Sequence, residues 1–287
     1  MRVERHPDVA TFLAGAGGFL VDREAEHNLI LGLSSTLARD PLAYGSEPYL
    51  ATVEEDGRVV AAALRTPPHN LVLSESDEDG VWAAFAADAA DADASLGGVL
   101  GPLGGVGSFV EAWRRLTGVS ARRSRSQRVY RISDVAAVDD APGTMRAYDE
   151  PDRPLALAWL DAFFEEEFGS ESVEGAERTL EHRLSDPHGG VVLWDDGGPV
   201  SLAGFGGPTP NGIRVGPVYT PPGVRRRGYA TALVAELTRS LLAGGRRFCF
   251  LFTDLANPTS NSIYLRIGYE PVADVEEWRF APGGSAA

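Results

Sequence analysis

Apolar positions recur with two different periods in the second half of the chain. Pro154–Phe168 carries Leu157, Leu160, Phe164 and Phe168 three and four residues apart, the spacing of a helix with one buried stripe. Gly228–Ala243 repeats this with Leu233, Leu237 and Leu241, and Ala176–Leu184 is a shorter helix stopped at Asp186-Pro187. Gly190–Trp194 and Pro199–Phe205 flank Asp195-Asp196-Gly197-Gly198 and predict a hairpin. Gly212–Tyr219 is the next strand. Phe248–Phe252 is continuously apolar, as in a strand covered on both faces. Pro258–Ile267 is a short helix that Gly268 can close, and Thr144–Tyr148 and Tyr269–Phe280 begin and end the series as strands.

The first half gives a similar order. Ala10–Leu20 reads as a helix end and turn, and Val21–Arg39 as a helix. Pro48–Val53 and Arg58–Leu64 form a hairpin across Glu54-Glu55-Asp56-Gly57. Asn70–Leu73 and Gly98–Leu100 are short strands, Gly80–Ala90 and Val106–Leu116 helices, and Gln127–Ile132 a closing strand. Ser133–Gly143, acidic and rich in small residues, reads as a connection. The pattern predicts an α/β protein of two similar domains, residues 1–135 and 144–287, joined by a linker at 136–143. A chain of 287 residues is long enough for both.

Composition narrows the function. The net charge of −15 argues against a nucleic-acid partner, which needs a basic face, and suits a cationic substrate as well as it suits plain solubility. No apolar run reaches the length of a membrane span. Ala10–Leu20 lacks a clear cleavage site, so secretion is not expected. Cys249 is the only cysteine. It lies in the apolar run and reads as a small core residue, and a disulfide-free chain fits a reducing cytoplasm. Every basic residue is arginine, so no lysine can act in catalysis. His6, His27, His69, His182 and His188 show no metal-ligand spacing, and no metal is expected.

Candidate chemistry concentrates where strand Gly212–Tyr219 meets a helix. Thr220-Pro221-Pro222-Gly223-Val224 leads into Arg225-Arg226-Arg227-Gly228-Tyr229-Ala230 and directly on to the helix. A helix start offers unpaired N–H groups and a partial positive charge to an anion. Gly228 permits close approach, Ala230 leaves it open, and three arginines add charge; a basic turn that merely starts a helix is the plainer reading. Downstream, Asn257 and Pro258 suit an N-cap and first helical position, with Ser260 and Tyr264 on one face.

Arg225-x-x-Gly228-x-Ala230 resembles the R/Q-x-x-G-x-G/A motif of the GNAT superfamily of N-acetyltransferases. Asn257, Tyr264 and Gly268-Tyr269 resemble that family's second cofactor motif. The resemblance is strong over Val215–Tyr269 and elsewhere rests on element order. It implies tandem GNAT-like domains, each with a mixed, mostly antiparallel central sheet flanked by helices. It also implies that acetyl-CoA is bound by Val218, Tyr219 and Thr220 along its pantetheine arm, by Arg225, Arg226, Arg227, Gly228, Tyr229, Ala230 and Thr231 at its pyrophosphate, and by Asn257, Ser260 and Tyr264. Family members often carry a bulge in the strand before the loop.

The reaction so implied is direct attack of a small-molecule primary amine on the thioester, with Tyr264 as general acid or hydrogen-bond donor to the departing thiolate. An ordinary amine must first lose a proton, at about 4–5 kcal/mol at neutral pH. Glu165, Glu166, Glu167 and Asp254 are the candidate bases or substrate ligands. A non-catalytic acyl-CoA sensor, a different acyl-CoA, and a protein N-terminus as acceptor are alternatives. The first half carries Ser74-Glu75-Ser76-Asp77-Glu78-Asp79-Gly80 where the phosphate loop would stand, which implies a copy that has lost cofactor binding.

Overall fold

A computed structural model describes residues 1–93, 95–169 and 175–281. By contacts the chain divides into two units. The first comprises Met1–Val129, Asp254–Ala256 and the chain from Val272; the second comprises Tyr130–Thr253 and Asn257–Pro271. The ten elements of the first half are β1 (Arg2–Arg5), α1 (Val9–Asp22), α2 (Asn28–Arg39), β2 (Tyr49–Glu55), β3 (Arg58–Arg65), β4 (Leu71–Leu73), α3 (Val81–Ala92), β5 (Gly98–Pro102), α4 (Val106–Thr117) and β6 (Ala121–Ile132). The same order returns as β7 (Thr144–Ala147), α5 (Arg153–Phe168), α6 (Ala176–Ser185), β8 (Gly190–Asp195), β9 (Pro199–Gly206), β10 (Gly212–Tyr219), α7 (Tyr229–Ala243), β11 (Phe248–Asp254), α8 (Pro258–Ile267) and β12 (Glu270–Phe280).

Three features of the first half depart from the sequence reading, the first being that the helix read over Val21–Arg39 is broken by a turn at 23–27, with α2 starting at Asn28. Ala10–Leu20 belongs to a full helix, α1, started by Asp8, whose carboxylate accepts from the Thr11 N–H at 2.8 Å. β1 was not expected. It lies antiparallel to β2, with Val3 opposite Val53.

Each unit holds an open, mostly antiparallel sheet with one parallel pair, β4 with β5 in the first and β10 with β11 in the second. Strand alternation sends side chains to two faces. In β3, Ala61 and Ala63 join Trp82, Phe85, Phe109 and Trp113 under α3 and α4. Ala62 and Leu64 join Phe12, Leu20 and Ile30 under α1 and α2. In β8, Val191 and Leu193 meet Leu160 and Leu180 of α5 and α6, while Val192 and Trp194 meet Leu233 and Leu237 of α7.

The contacts divide the chain differently from the boundary read off the sequence. In the first unit the strand order is β1-β2-β3-β4-β5-β12-β6, so β5 takes as neighbour a strand from the end of the chain. Glu276 stands opposite Gly101 and Trp278 opposite Val99. Phe280 stacks on Trp113, with centroids 5.2 Å apart at 17°. The segment read as a linker is part of the second unit's packing. Val135, Val138 and Ala141 lie on its core, Ala136 N–H donates to the Ile267 carbonyl at 2.9 Å, and Trp194 Nε1 donates to the Pro142 carbonyl at 2.8 Å.

His27 is 1% exposed in the first unit. The Glu75 amide can only donate, so Nε2 accepts it at 3.0 Å, and Nδ1 carries the proton and donates to the Leu20 carbonyl at 3.0 Å. Burial lowers its pKa from 6.5 to about 4. The unfolded chain therefore takes up this proton before the folded one does. The stability held by neutral His27 is full above about pH 6.5 and is lost as pH falls through about 4, a change of roughly 3 kcal/mol. Two outcomes are expected. The His27 ring protons, followed by NMR, should keep neutral-form shifts down to about pH 5. Phe280→Ala should destabilise the first unit by roughly 3–5 kcal/mol in urea unfolding, with loss of the near-ultraviolet signal of its tryptophans.

Candidate active site

In β10 the backbone opens before the loop begins. β10 pairs in parallel with β11 only at Gly212, Ile213 and Arg214, opposite Phe248, Cys249 and Phe250, although both strands continue. On its other side, its register with β9 shifts between Val215 and Val218. Gly216, at φ +136°, makes this turn of the chain available. The irregularity is a bulge at the place where the resemblance led one to be expected. Beyond it, Val218, Tyr219 and Thr220 line a cleft of about 1100 Å³.

Pro222–Val224 forms one tight helical turn, Arg226 sits at φ +65°, and Gly228 at φ +86° caps α7. No side chain caps that helix start, so its first N–H groups face outward without a side-chain partner. Arg225 turns away from them. Its guanidinium donates to Glu166 at 2.7 and 2.9 Å and to the Thr220 carbonyl at 2.7 Å, and lies 5.5 Å from the centre of the Tyr219 ring. Its charge is thus balanced locally. Arg226 makes no ion pair among the described residues.

The opposite wall comes from α8 and the end of α5. Asn257 caps α8 by accepting the Ser260 N–H at 3.1 Å, and its amide reaches Glu167 Oε1 at 3.4 Å. The Tyr130 hydroxyl donates to Asn261, whose amide donates to the Asn257 carbonyl at 2.7 Å. These bonds fix the first turn of α8 and so the direction of Tyr264. Tyr264 is 9% exposed and lines the cleft between the rings of Tyr130 and Tyr269. Its hydroxyl has no hydrogen-bond partner among the described residues. Burial, with the charge of Glu167 added, raises its pKa above that of an ordinary phenol. Cys249 is buried, and burial pushes its thiol up to about 12, which excludes it as a nucleophile.

The cleft gathers every cofactor candidate named from the sequence: Val218, Tyr219, Thr220, Arg225, Arg226, Arg227, Gly228, Tyr229, Ala230, Thr231, Asn257, Ser260 and Tyr264. Glu166 and Glu167 line it too, whereas Glu165 and Asp254 do not. Asp254 instead faces Arg125 at 3.7 Å and accepts the Ala256 N–H. Sequence reasoning missed Phe163, Ile263 and the stretch 137–140 with Asp139 and Asp140. Val135, Val138 and Ala141, apolar at three-residue steps in the supposed linker, were the signal that it is packed. Among the described residues no cluster of His, Cys, Asp or Glu could hold a metal ion, and no helix is long and apolar enough to cross a membrane.

A family model described as FR47-like protein matches residues 209–279, which span β10, the loop, α7, β11 and α8. No curated protein matches the sequence significantly. Among solved structures, a Drosophila protein aligns with a TM-score of 0.69 at 16% identity, over 98% of this chain and 99% of its own. A GCN5-related N-acetyltransferase from Sphaerobacter thermophilus aligns at 0.61 and 19% identity, over 97% and 95%. A tandem GNAT protein from the clavulanic acid biosynthesis pathway aligns at 0.56 and 15%, over the whole of both chains. The chain has a two-domain GNAT-type fold. Within it, the two GNAT-like repeats differ at the loop before their third helix. In the first repeat that loop is tied down: the Glu75 amide is taken by His27, Ser74 Oγ accepts the Ala62 N–H, and the Met1 side chain lies where a Cβ on Gly80 would point, 2.8 Å away.

Proposed function

We propose that the second unit is an acetyl-CoA-dependent N-acetyltransferase acting on a primary amine of a small molecule. The observation that carries this reading is the parting of β10 from β11 beside an uncapped helix start, with Tyr264 on the facing wall of one cleft. The residues suit the cofactor. The freed edge at Val218–Thr220 can pair with an extended amide-bearing arm as an added strand would. The N–H groups of Gly228–Thr231 and the unpaired Arg226 suit a diphosphate. Acetyl-CoA would supply an acetyl group activated as a thioester.

In this reading the chain's own groups do four things. The α7 start and the β10 edge hold the cofactor in register. Tyr264 presents its hydroxyl, unpartnered among the described residues, to the cleft from an otherwise buried ring. Because burial holds Tyr264 neutral through the whole working range of pH, it acts as a hydrogen-bond donor to a developing thiolate rather than as a full acid. Glu167, beside Asn257 and Tyr264, attracts a cationic amine and can accept its proton directly or through water. Glu166 holds Arg225 and Tyr219 in place, so its part is in shaping the acceptor side. A buried thiol as the sole cysteine fits a reducing cytoplasm.

The pairing of Glu166 with Arg225 also favours a second reading, an acyl-CoA sensor that binds without turnover, since it occupies one of the cleft's four carboxylates. A panel of amines assayed for CoA release separates the two, and silence across the panel selects the sensor. Acetyl-CoA should raise the melting temperature, and Gly228→Glu, which puts a carboxylate at the helix start, should abolish that shift. Tyr264→Phe should lower kcat by about 10- to 100-fold with little change in KM for acetyl-CoA; equal losses in both would make Tyr264 a packing residue.

A further inference from the structure

The bulge that opens the cleft leaves a stretch of β10 outside the ladder. Phe205 of β9 faces Val215 and Ala203 faces Val218, so Gly204 faces two residues, Gly216 and Pro217. Pro217 brings no N–H to a ladder. Among the described residues neither Gly216 nor Pro217 has a partner in register on β9 or β11. Backbone in that state takes its position from whatever else reaches it.

What reaches it is Arg183 of α6. Leu180, one turn earlier, seats α6 on Val191, Leu193 and Leu202. The turn after the helix is closed by the Gly189 N–H on the Asp186 carbonyl and the His188 N–H on the Asp186 carboxylate, both at 2.9 Å. From this fixed base the Arg183 side chain crosses β9 over glycines. Gly204 and Gly206 follow Leu202 at two-residue steps, on the sheet face that α5 and α6 cover. A Cβ on Gly206 would stand 2.6 Å from Arg183 Nη1, and one on Gly204 would stand 3.5 Å from Nε. The path is open because both side chains are absent. At its end Nη2 donates to the Gly216 carbonyl at 2.9 Å, a bond strengthened by the charge of the donor.

We infer that Arg183 is a positioning residue, which holds the bulge of β10 and so sets where the edge at Val218–Thr220 presents its backbone to the cofactor. The cofactor part of this rests on the acetyltransferase reading. Arg183 does not line the cleft, so its effect on a ligand there passes through the strand. The far end of the edge is fastened separately, by Ser201 Oγ donating to the Tyr219 carbonyl at 3.1 Å. Loss of Arg183 therefore frees the near end of the edge and leaves the strand in place.

Two measurements on the full chain test this. In the free protein, the amide signals of Gly216, Val218 and Tyr219 in nitrogen–proton correlation spectra should move in Arg183→Met, while those of β7 stay. In calorimetric titration with coenzyme A, Arg183→Met should weaken binding by about tenfold. Arg178→Met, at an exposed position on the same helix, should bind as the wild type does. Arg183→Lys keeps the charge and a donor but lacks the guanidinium fork, so it should fall between the two. It carries both comparisons if the methionine replacement does not fold. Unmoved amide signals, or unchanged affinity for coenzyme A in a folded Arg183 variant, would overturn the inference and leave the acetyltransferase reading intact. Equal losses in Arg178→Met and Arg183→Met would overturn it as well, since charge would then be the cause. A wild-type chain that binds no coenzyme A would instead sink the acetyltransferase reading, and the cofactor part of this inference with it.

Discussion

Two neighbouring strands that stop pairing are what the second unit's site is built on. β10 and β11 share a ladder for three residue pairs and then part, and the bulge between Val215 and Val218 redirects β10 away from its neighbour. Backbone groups released from a ladder inside a protein need other partners. Here they face a cleft, so the edge at Val218–Thr220 is available to a ligand that brings its own amides. Pro221-Pro222 ends the strand, the chain turns through Arg226 and Gly228 with positive φ, and α7 starts with its N–H groups unclaimed by any side chain.

The charges around the cleft follow a division of labour. Arg225 is spent on Glu166 and Tyr219, at half-exposed positions where an ion pair contributes at most about 1 kcal/mol. Its value is in position, because it ties the end of α5 to the end of β10. Arg226 makes no ion pair among the described residues, and Asp139 and Asp140 border the same cleft. The polar chain from Tyr130 through Asn261 to Asn257 fixes α8, and with it the position of Tyr264 on the cleft wall.

The two repeats share ten elements in one order, but the two units do not divide at the middle of the chain. The first unit takes β12 beside its β5, and its core is completed by Phe280 on Trp113. Its loop before α3 is held by one hydrogen bond to His27, by hydrogen bonding to Ala62 and by the Met1 side chain. Neither helix start is capped by a side chain; the copies differ in the loop that leads to it, which is held down in the first.

The sequence by itself determined most of the elements and which residues line the cleft. Leucines at helical spacing, an apolar run for β11, the Asp-Gly hairpins and the local cap signals of Asn257-Pro258 and Gly268 are all short-range, and each element formed where its pattern stood. The cofactor candidates came together because they sit on consecutive elements, so the chain between them leaves little freedom. Tertiary structure decided what depends on distant pairing. No local signal tells that β12 will lie beside β5, and the three-residue spacing of Val135, Val138 and Ala141 shows an apolar face without telling what it packs on. It also decided which carboxylates line the cleft: Glu165, Glu166 and Glu167 are alike in sequence, and the packing of the end of α5 turns two of them to the cleft and leaves the third outside. Helix periodicity fixes directions within an element; the packing of elements fixes what those directions point at.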